Sequence, residues 1–109
     1  MTHFLCKLLP PRPNFPHDMT PDEAALMQEH VAYWTGLIEK GTAVAFGPVF
    51  DPQGVWGLGL VETKDEAETR ALTDADPVSR AGLGFVYEIH AMPRTAVRPA
   101  STSTVLQPT

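Results

Sequence analysis

From Leu26 onward the apolar residues of one long segment recur every three or four positions. At about 100° per residue, Leu26, Met27, Tyr33, Trp34, Leu37 and Ile38 share one side, while Gln28, Glu29, Thr35, Glu39 and Lys40 face away. This pattern predicts an amphipathic helix. Its start is marked by Thr20 as N-cap, Pro21 at the first helical position and Glu23 at the third, a complete capping box, and Gly41 supplies a left-handed stop after Lys40. His30 falls inside the apolar stripe, where such a helix would ordinarily carry Leu or Ile. A buried imidazole needs a hydrogen-bond partner, because an unpaired polar group away from water costs roughly 1–3 kcal/mol.

The remaining elements follow from shorter patterns. Residues 3–9 form an apolar run stopped by Pro10, Pro11 and Pro13, which predicts a first strand. Pro10 to Met19 holds four prolines and is expected to be an irregular surface loop whose His17 and Asp18 could line a site mouth. Thr42–Phe50 and Val55–Glu62 are expected to form a hairpin around Asp51-Pro52-Gln53-Gly54. The first of these strands would carry Val44 and Phe46 on one side, with Ala43, Ala45 and Gly47 on the other. In the second, Trp56, Leu58 and Leu60 oppose Gly57 and Gly59, and the glycines leave room for the helix or for a ligand. Thr63 is expected to cap a second helix over Lys64–Leu72 that turns Ala67 and Leu72 inward. Asp76 and Pro77 begin a short helical turn, and Gly84–Met92 alternates as a last strand.

The order strand, helix, strand, strand, helix, strand fits an α+β fold, a ferredoxin-like βαββαβ sandwich in which an antiparallel sheet carries both helices on one face. Both faces of the strands bear large apolar residues, so the uncovered sheet face implies association. A homodimer is therefore expected, its two sheets facing each other in an α+β barrel-type arrangement beside a cavity. Residues 1–93 make one domain. Residues 94–109 are expected to be a flexible C-terminal tail, since the Ser and Thr stretch after Pro99 has little to bury.

Composition narrows the partners. A formal charge of -5 with both signs interspersed lacks the basic footprint that nucleic acid or anionic lipid requires. No apolar segment approaches a membrane span, and the N-terminus lacks the pattern of an export leader, so a cytoplasmic location is expected. The single cysteine, Cys6, has no internal disulfide partner, and no ligand spacing suggests a metal or a cofactor.

If the first helix covers the sheet, His30 points toward the loop end where Asp76 could arrive from the second crossover. A carboxylate on one ring nitrogen would fix the tautomer and leave the other nitrogen to take or give a proton near neutral pH. The same contact could instead only anchor the crossover, with Asp76 a helix cap. Gly47 and Pro48 lie at a strand end where backbone can approach a small molecule. Trp34 could wall an apolar pocket or simply fill the core. Glu88, with His90 on one strand face, could reach a cavity or stay solvated.

Several short motifs in order resemble the YCII-related proteins: His30 in the first helix, Gly41 at its end, Ala45-Phe46-Gly47-Pro48, Asp74-Ala75-Asp76-Pro77, and the strand Gly84-Phe85-Val86-Tyr87-Glu88-Ile89. The resemblance implies a dimeric ferredoxin-like fold and an active-site histidine and aspartate, which by position are His30 and Asp76. It also implies small lyases or dehydrochlorinases acting on muconate-like organic acids. The proline-rich loop and the Met27-Gln28-Glu29-His30 context depart from the Arg-Pro-x-x-His start of many such proteins. The reading from sequence is thus a cofactor-free lyase or isomerase for a small organic acid. The alternative is a non-catalytic homodimer that binds a metabolite in the same pocket.

Overall fold

A computed structural model describes residues 1–99. Four strands and three helices follow one another as β1 (Thr2–Leu9), α1 (Pro21–Glu39), β2 (Ala43–Asp51), β3 (Gly54–Thr63), α2 (Glu66–Ala75), α3 (Pro77–Arg80) and β4 (Val86–Met92). The strands form one antiparallel sheet in the order β2-β3-β1-β4, which is the ferredoxin-like topology. β1 and β3 occupy its centre, and α1 joins β1 to β2 by crossing over the sheet. Of the expected tail, residues 100–109 lie outside the described part. Among the described residues no helix is long and apolar enough to cross a membrane.

Period-two alternation sets the two sheet faces. Phe4, Cys6 and Leu8 of β1 point at the helices and are buried, opposite Val61, Gly59 and Gly57 of β3. Leu5, Lys7 and Leu60 take the other face. The core joins Phe4, Cys6 and Val61 of the sheet with Trp34 and Leu37 of α1. The strand glycines explain how the helix seats: a Cβ on Gly59 would lie 2.3 Å from the Trp34 ring, so only glycine lets the indole rest on the sheet. α1 begins with its capping box, Thr20 accepting from the Glu23 N–H and Glu23 accepting from the Thr20 N–H, and it stops before Gly41 at φ 80°.

Three expectations are corrected. Pairing of β2 with β3 slips between Ala43 and Ala45, so Val44 is bulged out. Ala43 consequently lies buried on the same side as Phe46 instead of opposite it. The second helix is capped by Asp65, whose side chain accepts from the Glu68 N–H, and it buries Thr69 and Thr73 while Ala67 is exposed. Threonine suits that inner face because each hydroxyl finds an oxygen: Thr63 and Thr69 bond at 2.7 Å, and Thr73 donates to the Arg70 carbonyl. The Pro10–Met19 loop is not merely surface. Its Phe15 is buried and meets the Phe85 ring edge-on at 5.3 Å, with a cis bond before Pro16. Arg12 straps the loop to the start of α1, bonding Glu23 through both terminal nitrogens at 2.7 Å and Asp18 through Nε at 2.9 Å.

Candidate active site

Asp76 ends α2 and caps α3, and this double duty fixes its carboxylate inside the protein. Oδ1 accepts from the Val78 N–H at 3.1 Å. Oδ2 gathers three side-chain donors: His30 Nδ1 at 2.7 Å, Trp34 Nε1 at 3.0 Å and the Tyr87 hydroxyl at 2.5 Å. His30 and Trp34 come from successive turns of α1, four residues apart and so on one face. Tyr87 comes from β4 and also accepts from Trp34 Nε1 at 3.0 Å. The carboxylate is fully buried. Burial alone would push its pKa up, but the hydrogen bonds from His30 and Tyr87, the charge of His30 and the Val78 N–H together hold it below the ordinary value. An ionised carboxylate only accepts, so Nδ1 of His30 carries a proton, and in the neutral imidazole Nε2 keeps its lone pair. The Tyr87 phenol moves the other way, raised by burial and then by the neighbouring Asp76 charge, and it keeps its proton.

His30 and Tyr87 form part of the wall of a cavity of about 200 Å³ between α1, the Pro10–Met19 loop and the helix-facing side of β2 and β3. Met27, Val31 and Trp34 wall it from α1. Pro10, Phe15, Pro16 and Met19 close it from the loop. Phe46 stacks on Trp34 with ring centres 6.2 Å apart, and Phe85 completes the far side. Among the described residues, neither arginine nor lysine lines it.

Residues 4–93 match the YCII-related domain family. The chain belongs to that family. No curated protein matches it. In this YCII-related chain the two residues singled out from the sequence, His30 and Asp76, lie in direct contact although 46 positions apart. Trp34, Gly47 and Pro48 also line the cavity. Glu88 does not: it faces the open side of the sheet, where its nearest polar partner is His90 at 3.3 Å. Alternation along β4 explains this, because Tyr87 and Ile89 take the inner face. His17 is exposed, and Asp18 is occupied by Arg12.

The residue that sequence reasoning missed is Tyr87. Its inward position was legible from the alternation of β4, and a buried phenol needs a partner, yet nothing local names Asp76 as that partner. Cys6 lies in the core with its thiol pushed up to about 12 by burial, which keeps it protonated and unreactive. Among the described residues, no group of three or more His, Cys, Asp or Glu side chains could hold a metal ion.

Proposed function

We propose that this YCII-related protein transfers a proton to or from a small organic molecule without a cofactor, as a lyase or isomerase does. His30 is the acid/base and Asp76 its positioning carboxylate. The observation that carries the reading is the 2.7 Å contact between Nδ1 and Oδ2 with the imidazole on a cavity wall. With Nδ1 tied down, Nε2 removes a proton from carbon next to a carbonyl, and the imidazolium so formed sits against a carboxylate already in place. Returning that proton to another atom completes an isomerisation. Expelling a leaving group from the carbanion completes an elimination. A binding-only role draws support from the same geometry, since the four bonds to Asp76 also tie α1, α3 and β4 together.

Deuterium exchange separates the two. Small carbonyl compounds held in D2O with the protein should lose their α-proton signals, and His30→Gln should abolish this while keeping the fold. Asp76→Asn should slow exchange by roughly a hundredfold or more. Exchange in His30→Gln as fast as in the wild type would refute the acid/base role and leave the binding role.

The open sheet face supports association with a second copy. Leu5, Leu58 and Leu60 stand there only partly covered, and Lys7 lies across the Trp56 ring at 4.7 Å. An apolar sheet face of this kind is the expected seat of a homodimer.

A further inference from the structure

We infer that the cavity takes an uncharged molecule built on a single ring, held by apolar contact and by one hydrogen bond to His30 Nε2. The inference rests on the acid/base reading for its polar contact only. An apolar cavity of roughly 150 Å³ accommodates benzene, so about 200 Å³ admits one ring with one or two small substituents. The walls suit such a ring. Trp34 and Phe46 offer flat faces, Phe15 and Phe85 meet edge to face, and the methionine sulfurs of Met19 and Met27 adapt to an irregular outline.

Charge decides the rest. The organic acid that family resemblance implies would need a cation, and the nearby ones are committed elsewhere. Arg12 spends Nε and both terminal nitrogens on Asp18 and Glu23, and Lys7 lies over Trp56. The titratable groups on the wall are His30 and Tyr87. A protonated His30 is already balanced by Asp76, so a ligand carboxylate would bring a second buried negative charge without a counterpart. The indole N–H and the Tyr87 hydroxyl both donate to Asp76. Nε2 is therefore the side-chain polar atom the wall offers, and its lone pair matches a ligand with one hydroxyl to donate.

Calorimetric titration at neutral pH with para-cresol and para-toluate, alike in ring and methyl but opposite in charge, tests this. Cresol should bind roughly tenfold or more tightly than toluate, and His30→Gln should weaken cresol several-fold. Val31 is half-exposed at the cavity rim, so Val31→Lys should fold and should raise toluate affinity while lowering that of cresol. Toluate binding as tightly as cresol, neither binding at millimolar concentration, or no response to Val31→Lys would overturn the inference. A toluate preference would leave the exchange activity of His30 untouched, and loss of that activity's dependence on His30 would leave the charge preference untouched.

Discussion

Gly59→Ala is the sharpest test of how the site is supported. The added methyl would lie 2.3, 2.7 and 2.8 Å from three atoms of the Trp34 six-membered ring, against an ordinary carbon contact of about 3.5–4.0 Å. The ring must therefore retreat by about 1 Å or more. Trp34 Nε1 stands at 3.0 Å from both Asp76 Oδ2 and the Tyr87 oxygen, an ordinary bond length, and a retreat of that size carries it beyond bonding range of both. Overpacking costs about 1–3 kcal/mol, and a buried N–H left unpaired about as much again, for a total of about 2–6 kcal/mol. In a domain of this size that lowers Tm by roughly 10 °C or more. Urea unfolding followed by tryptophan fluorescence and near-ultraviolet circular dichroism reads both the energy and the ring's surroundings. Gly57→Ala is the control: its methyl would meet Leu8 Cβ at 3.2 Å, which asks for a shift of a few tenths of an ångström and costs about 1 kcal/mol. If Gly59→Ala stayed within about 0.5 kcal/mol of the wild type with an unaltered aromatic spectrum, the account of how α1 seats on the sheet would be wrong.

Four further outcomes are expected. Gly36→Ala, inside α1 with open space where its methyl would go, should stabilise by about 0.5–1 kcal/mol in urea titration, since glycine is the costlier helix residue. Tyr87→Phe removes one donor from Asp76 and should destabilise by about 1.5–3 kcal/mol, read in the same titration. Glu23 is held down from 4.5 to about 2, mainly by its bonds from Arg12, so its contribution to stability is full above pH 4.5 and is lost as the pH falls toward 2. Glu23→Gln should flatten the dependence of Tm on pH in that window, and an unchanged slope would place the acid sensitivity elsewhere. Light scattering behind size exclusion should give a dimer mass that Leu60→Glu halves, whereas a wild-type monomer at micromolar concentration would remove the association.

The features legible in the sequence were those with a local cause. The capping box, the apolar stripe of α1 and the inward His30 are periodic or follow from adjacent residues, and the order of elements left few topologies to choose among. The two strand glycines opposite Trp56 signalled a close approach, which is Trp34 at Gly59 and Leu8 at Gly57. What stayed hidden depends on partners far along the chain. The bulge at Val44 is set by pairing with β3 and leaves no mark in the alternation of β2 itself. The loop's descent onto the cavity rests on Phe15 meeting Phe85, and the inward threonines of α2 rest on hydroxyl bonds that hydrophobic periodicity does not register. Glu88 lies away from the cavity beside His30 for a plainer reason: it alternates with Tyr87, and one strand cannot turn both toward the same cavity.

The three side-chain donors on one oxygen of Asp76 also set an order of assembly. α1 and the Asp76 cap are synthesised first, but the phenol that completes the cluster belongs to β4, the last of the described elements to leave the ribosome. Until that strand docks beside β1, the nascent chain carries imidazole, indole and carboxylate with one wall of their enclosure missing. An amino-terminal fragment ending before Val86 lacks Tyr87, so the Asp76 cluster is complete only when the fold is finished.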